Sequence, residues 1–125
     1  MRRVVGIFLL LSACSQAAPG VAATEVELKE GSITVEHRVL AAGQVSLEIE
    51  NYGKYPHTLV VTTESGMVLA ATGLVPPGES VVLPVVLGPG GYQFSCRIVA
   101  TAPDGSLLDH YQLGMMADVV VREHD

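Results

Sequence analysis

The amino-acid sequence predicts an all-β fold, a β-sandwich with Greek-key connections. Three features lead to this prediction: apolar and polar residues alternate along short stretches, turn-forming segments separate those stretches, and no long helical pattern appears. The chain has 125 residues with 13 Gly and 7 Pro, which suits one domain with many turns and is too short for two domains with separate cores.

Each predicted strand shows the period-two alternation of a half-buried strand. In the first of them, Val26 and Leu28 alternate with glutamates and a lysine. The predicted strands are 24–29, 33–36, 45–50, 57–63, 67–71, 79–87, 91–99 and 117–122. Between them lie the turn signals EGS, AAGQ, NYGKYP, ESG, VPPGES, GPGG and APDG. Short strands at this spacing are typical of a sandwich.

The first residues have the features of an export signal. Two arginines precede an apolar run at 4–13, which is too short to span a bilayer. The segment LSAC resembles the lipobox of bacterial lipoproteins, which implies cleavage before Cys14 and lipid attachment to it; the alternative is a plain secretory signal with an incidental cysteine. The predicted organisation is a signal peptide at 1–13, a lipidated Cys14 with a flexible tether at 14–23, and a folded domain at 24–125.

Removal of such a signal changes the charge and the cysteine count. Without Arg2 and Arg3, five Lys/Arg residues remain against thirteen Asp/Glu residues, a formal charge of −8. A surface of that sign argues against a nucleic-acid partner and against electrostatic docking on anionic lipid. With Cys14 lipidated, Cys96 has no partner for a disulfide, so either metal ligation or burial as a small apolar side chain must account for it.

Strand parity predicts where the side chains of metal-ligating types point. In GYQFSCRIV, Cys96 shares the inward face with Phe94, and Ser95 lies on the outward face. His57 opens a strand on the inward parity, and the parity of the last strand, extended backwards, places Met115 inward. Taken singly, each of these residue types more often has an ordinary core or surface role than a metal-binding one. Together they place three ligand-type side chains at strand ends, where they can face one interior.

Three segments of the chain resemble the cupredoxins, the blue copper proteins. VLAAGQVSLEIENYGKYPHTLVV resembles the part of the family in which a strand ends in Asn and, after a Gly, a His begins the next strand. LVPPGESVVLPVVLGPGGYQFSC resembles the part that ends in Tyr-x-Phe-x-Cys, and HYQLGMMADVVV resembles the end of the domain. The resemblance implies a cupredoxin-like Greek-key sandwich or barrel.

The resemblance also implies a type 1 copper site. Carried over position by position, it implies that one Cu(I)/Cu(II) ion is bound by His57, Cys96, His110 and Met115. Two imidazoles and a thiolate supply a trigonal plane, and a thioether supplies a weak axial ligand. Asn51 matches the Asn that ends the strand before the first His, and Thr58 matches the polar residue that helps to tie the two ligand loops together. His37 and His124 lack ligand-type neighbours and are interpreted as surface residues.

The spacing between Cys96 and His110 departs from the family, in which a short loop separates these ligands. Thirteen residues intervene here. The turn signal APDG, residues 102–105, predicts a three-residue hairpin loop with its glycine in the left-handed conformation. That register places Ile98 opposite His110 and brings His110 to the same face as Cys96, whereas a two-residue loop would aim it at the other face. We therefore expect an inserted hairpin between the two ligands.

The function implied by the resemblance is electron transfer without catalysis. We expect single electrons to pass between redox partners, such as a cytochrome or an oxidase, outside the cytoplasmic membrane of a bacterium, with the lipid anchor facing the periplasm or the cell exterior. The expected docking patch comprises Pro56, Tyr111, Leu113 and Met116. Two alternatives stay open: a copper-binding or copper-delivery protein of the same fold, and a cupredoxin-like interaction module without metal.

Overall fold

The computed structural model describes residues 20–123, and these form an all-β sandwich. The strands are β1 (Ala23–Lys29), β2 (Ser32–Val35), β3 (Val39–Ala41), β4 (Gly43–Asn51), β5 (Val60–Thr63), β6 (Val68–Ala71), β7 (Ser80–Leu87), β8 (Gly90–Ser95), β9 (Val99–Thr101), β10 (Leu107–Asp109) and β11 (Met116–Arg122). One sheet has the order β2-β1-β4-β7, the other has the order β3-β11-β8-β5-β6, and β9 and β10 form a separate hairpin. The predicted fold class is confirmed. Within residues 20–123, no helix has the length and apolar character needed to cross a membrane.

The alternation seen in the sequence places one face of each sheet in a shared core. In β1, Val26 and Leu28 are fully buried while Glu25 and Glu27 are exposed. The core consists of such inward positions from both sheets, and its largest member is Phe94 of β8. Burial of each large apolar side chain contributes about 1.5–3 kcal/mol. The packed sandwich therefore gives a rigid frame from which the loops at one end project.

The predicted strand 91–99 is wrong at its end, and one of its outward-facing residues is covered. The strand ends at Ser95, and the next three residues leave the sheet. Ser95 lies on the face opposite Phe94, as strand parity predicts, but it is fully buried there. It lies in a central strand between β5 and β11, and the Arg97 Nε–H donates to its hydroxyl at 2.9 Å. The Arg97 guanidinium stacks 3.9 Å from the centre of the Tyr111 ring, so these two side chains cover the outward face at Ser95.

Two further elements differ from the sequence pattern. Regular pairing of the predicted strand 57–63 begins only at Val60, and His57 forms a single bridge with Val75. The short strand β3 was not predicted, because its three residues are all apolar and show no alternation. It pairs in parallel with the end of β11.

The start of the folded domain extends into the predicted tether. The Val21 carbonyl accepts the Ala41 N–H at 2.7 Å, the Ala22 carbonyl accepts the Ser46 N–H at 2.9 Å, and β1 begins at Ala23. Residues 21–23 therefore already pair with the sandwich. The predicted signal peptide, Cys14, the first part of the predicted tether and His124 lie outside the described residues.

The inserted hairpin has the predicted register. The Ala102 N–H donates to the Ser106 carbonyl at 2.8 Å, and the Gly105 N–H closes the turn onto the Ala102 carbonyl at 2.9 Å. Gly105 has φ of 89°, the left-handed conformation that favours glycine. The His110 N–H donates to the Ile98 carbonyl at 2.9 Å. The three-residue loop therefore returns His110 to the neighbourhood of Cys96.

Candidate metal centre

Three side chains of metal-ligating types converge at one end of the sandwich. His57 follows the loop after β4, Cys96 comes directly after β8, and His110 comes directly after β10. The Nδ1 atoms of the two histidines lie 3.2 Å apart, and Cys96 Sγ lies 3.6 Å from His110 Nδ1. All three ligand atoms lie within 4.8 Å of one another.

These separations fit a single transition-metal ion. With metal–nitrogen bonds of about 2.0 Å and metal–sulfur bonds of about 2.3 Å, as in zinc sites, ligand atoms at trigonal or tetrahedral angles lie about 3.3–3.8 Å apart. The N–N and S–N distances are close to that range. Imidazole nitrogen and thiolate sulfur are also a donor set that suits copper. The residues present therefore fit the ion that the sequence resemblance implies.

The orientation of His57 is determined by a carboxylate. His57 is fully buried, and its Nε2 lies 2.8 Å from Glu30 Oε2. An ionised carboxylate only accepts hydrogen bonds, so Nε2–H is the donor. In the neutral imidazole this leaves the Nδ1 lone pair free, and Nδ1 is the atom that faces His110.

Glu30 is a site residue that sequence reasoning missed. It lies at the tip of the β1–β2 hairpin, and its carboxylate also accepts the backbone N–H groups of Lys54 at 2.9 Å and Tyr55 at 3.1 Å. Burial alone would raise the pKa of the Glu30 carboxyl, but the hydrogen bonds from His57 and from these two amides outweigh it and hold that pKa below its ordinary value. Nothing in the sequence pattern separates this glutamate from the exposed glutamates of β1.

Asn51 holds the loop that leads to His57. It ends β4 and is fully buried. Its Nδ2 donates to the carbonyls of Tyr55 and Val75, both at 2.8 Å, and its Oδ1 accepts the Gly53 N–H at 2.8 Å. The loop is therefore tied on both sides of its turn by one side chain.

Cys96 is buried at the base of the cluster. It is fully inaccessible, and the Thr58 hydroxyl lies 3.7 Å from its sulfur. The Cys96 N–H donates to the Met115 carbonyl at 3.1 Å. Met115 is also fully buried and belongs to the same apolar cluster as Cys96. The structure thus places the Thr58 hydroxyl beside the Cys96 sulfur and joins Met115 to Cys96 through the backbone.

His110 is the half-buried member of the cluster. Its carbonyl accepts the Met115 N–H at 3.0 Å, which closes the loop between these two residues. Burial lowers the pKa of His110, and the neighbouring His57 lowers it further. The imidazole is therefore neutral and able to donate a lone pair at neutral pH.

A mostly apolar cavity of about 520 Å³ lies beside His110, between the inserted hairpin and the loop before His57. Its apolar lining includes Pro56, Leu74, Leu108 and Leu113. The four residues of the expected docking patch do not all lie here. Pro56 and Leu113 line this cavity, Tyr111 lines a different one with Arg97, and Met116 is exposed on β11 beside Gln93.

A comparison with sequence families identifies the fold. Residues 2–108 match the family described as Cupredoxin-like domain. The chain belongs to this family. The matched range covers His57 and Cys96 and ends two residues before His110, at the end of the inserted hairpin. Among curated proteins, none matched this cupredoxin significantly.

Solved structures share the cupredoxin fold at low sequence identity. Auracyanin from the photosynthetic bacterium Roseiflexus castenholzii aligns over 82% of this chain and 98% of its own, with a TM-score of 0.60 and 19% identity. Reduced rusticyanin aligns over 81% and 80%, with a TM-score of 0.56 and 18% identity. A multicopper oxidase aligns over 81% of this chain and 42% of its own, with a TM-score of 0.53 and 16% identity.

Proposed function

We propose that this cupredoxin is a type 1 copper protein that carries single electrons between redox partners outside the cytoplasmic membrane. The observation that carries the proposal is the convergence of His57 Nδ1, His110 Nδ1 and Cys96 Sγ within 4.8 Å. The solved structure of rusticyanin, a copper protein, shares its fold. A bound copper ion would supply one-electron chemistry between Cu(II) and Cu(I). His57, Cys96 and His110 would hold it, together with the Met115 thioether.

The way these side chains are held supports a carrier role. Asn51 and Glu30 fix the loop that ends at His57, and the hairpin pairing fixes His110. A site held in one geometry by the protein needs little rearrangement when its charge changes. His110 is half-buried beside the apolar cavity, so its ring is the ligand closest to a docked partner. We expect a redox partner such as a cytochrome or an oxidase to contact the rim formed by Pro56, Leu74 and Leu113.

The copper assignment is tested on the purified domain with Cu(II). The expected result is an intense visible thiolate-to-copper band that Cys96→Ala abolishes and His110→Ala weakens or shifts. His37→Ala is the matched control, because His37 is an exposed histidine that contacts Glu36 and does not belong to the cluster, and it should leave the band unchanged. A colourless wild-type protein would refute the type 1 assignment. A band that survives His110→Ala unaltered would exclude that ligand alone.

The carrier role needs a separate measurement. Reduction and reoxidation by candidate partners, followed by stopped-flow, should be rapid. Leu113→Glu should slow both reactions, because it adds a charge at the docking rim and changes none of the proposed copper ligands. Transfer of the copper ion itself to the partner, with no electron exchange, would instead identify a delivery protein. Oxygen consumption with reducing substrates should stay at background, because we propose a carrier and not an oxidase.

We also propose that a lipid on Cys14 anchors the domain to the membrane. The lipobox-like segment LSAC supports this part of the proposal. Expression in bacteria with a labelled fatty acid should label the wild-type protein in the membrane fraction, and Cys14→Ala should be unlabelled. Label-free wild-type protein in the soluble periplasmic fraction would contradict the anchor and leave the copper assignment standing.

A further inference from the structure

The Glu30 carboxylate is held in place by three donors from one loop. Its Oε2 lies 2.8 Å from His57 Nε2 and also accepts the N–H groups of Lys54 and Tyr55. These contacts join residues 24 to 27 positions apart, so they form only when the β1–β2 hairpin packs against the loop before β5. The Glu30 side chain is 38% exposed, so water still solvates its charge while Oε2 faces the fully buried His57.

Gly53 leaves the space that this carboxylate occupies. A Cβ added at Gly53 would lie 2.9 Å from Glu30 Cδ and closer still to Oε2. Real Cβ atoms do not approach other atoms so closely, so any larger residue would displace the Glu30 carboxylate. The absence of a side chain at Gly53 therefore leaves room for a negatively charged carboxylate beside His57 Nε2.

A carboxylate in that position has two effects on an imidazole ligand. It fixes the tautomer with the proton on Nε2, so the Nδ1 lone pair points toward His110 and Cys96. It also makes the imidazole a stronger electron donor, and outer hydrogen-bond partners of this type commonly alter metal affinity by about 10–100-fold. A stronger donor and a nearby negative charge both favour the more highly charged oxidation state.

We propose that Glu30 is a positioning residue that orients His57 and lowers the reduction potential of the copper site. The orienting part concerns the protein alone, and the potential rests on the proposed function. The two parts therefore have separate readouts.

The orienting role is tested by NMR of the metal-free protein. The wild type should show a slowly exchanging, downfield His57 Nε2–H proton. Glu30→Ala should lose it to exchange with water. Glu30→Gln should keep it at a less downfield shift, because the backbone amides of Lys54 and Tyr55 hold the amide oxygen where Oε2 was and a neutral acceptor is weaker. Absence of this proton in the wild type, or its persistence in Glu30→Ala, would overturn the orienting role.

The potential is tested by redox titration of the copper-loaded variants. Glu30→Gln preserves the shape of the side chain and removes its charge. A tenfold loss of Cu(II) affinity relative to Cu(I) raises a one-electron potential by about 59 mV. We expect a rise of at least this size. Glu27→Gln, which removes the same charge from an exposed position on β1, should produce a much smaller rise.

Gly53→Ala supplies an independent test that leaves Glu30 unchanged. By displacing the carboxylate, it should raise the potential in the same direction as Glu30→Gln. Equal potentials for wild type, Glu30→Gln and Gly53→Ala would overturn the second half of the proposal. If the wild type forms no blue copper site, the proposed function fails, and the NMR experiment on the metal-free protein still decides the orienting role.

Discussion

Replacement of Asn51 tests how the loop that carries His57 is held. The side chain is fully buried and forms three hydrogen bonds of 2.8 Å. Two are donated by Nδ2 to the carbonyls of Tyr55 and Val75, and one is accepted by Oδ1 from Gly53. The loop has no internal strand pairing between Asn51 and His57, so we expect its support to come from this side chain and from Glu30.

The size of the effect follows from the burial of the three bonds. Asn51→Ala removes all of them, and each is worth about 0.5–1.5 kcal/mol net. The bond to Val75 is buried, but that carbonyl also accepts the His57 N–H at 3.2 Å and so keeps one partner. The other two bonds are only part-buried, so water can replace them. We expect the free energy of unfolding to fall by about 2–3 kcal/mol.

Asn51→Asp distinguishes donor from acceptor roles. Aspartate keeps the oxygen that accepts from Gly53, but its second oxygen faces the carbonyl oxygens of Tyr55 and Val75. A buried carboxylate opposite two acceptors costs more than missing hydrogen bonds. Asn51→Asp should therefore be less stable than Asn51→Ala, although aspartate is closer in shape to asparagine.

The assay is urea unfolding of the metal-free domain with linear extrapolation. Gln44→Ala is the matched control, since Gln44 carries an exposed amide on the same strand. It should change stability by no more than about 0.5 kcal/mol. An Asn51→Ala variant that matches this control, or an Asn51→Asp variant at least as stable as Asn51→Ala, would refute the hydrogen-bond pattern described for the loop.

Three further predictions concern the hairpin and the core. Gly105→Ala should destabilise the hairpin by about 1–2 kcal/mol, because the new Cβ contacts no atom within 4 Å and the cost is the backbone strain at φ 89°. This should appear as faster amide exchange across 98–110, with unchanged exchange in the core strands. Hydrogen bonds from Ser106 hold the pKa of Asp104 below 3.8, so the Asp104 carboxylate should stabilise the turn above pH 3.8 and stop doing so as the pH falls through the lowered pKa. The NMR shift of the Ser106 amide should report this titration, and Asp104→Ala should abolish it. Phe94→Ala, at a fully buried position, should lower the free energy of unfolding by about 3–5 kcal/mol, measured by urea unfolding; a loss below about 1 kcal/mol would contradict its core position.

The features that were predictable from the sequence are those with local physical causes. The register of the inserted hairpin follows from APDG, because a three-residue loop with a left-handed glycine fixes which residues pair. The opposite orientations of the last two methionines follow from strand parity, and Met115 is fully buried while Met116 is 37% exposed. Each of these outcomes depends on a few consecutive residues.

The features that were missed depend on contacts between distant segments. Ser95 is buried because β5 and β11 flank its strand and because Arg97, stacked on Tyr111 of another loop, covers it. Glu30 reads as one more glutamate at the end of an alternating strand. Its contact with His57 spans 27 residues and forms only when a hairpin tip meets a loop from the other side of the site.

The β1–β2 hairpin tip joins the supports of both histidines, and this explains how a long insertion leaves the site compact. On one side Glu30 contacts His57 and the loop before it. On the other side, a Cβ at Gly114 would lie 2.5 Å from the Gly31 carbonyl oxygen, so the segment from His110 to Met115 packs directly against the same tip. The thirteen residues between Cys96 and His110 therefore lengthen the path of the chain between the two ligands without moving the ligands apart. At the end of the hairpin, the position of His110 is determined by its pairing with Ile98 and by the close contact between Gly114 and Gly31.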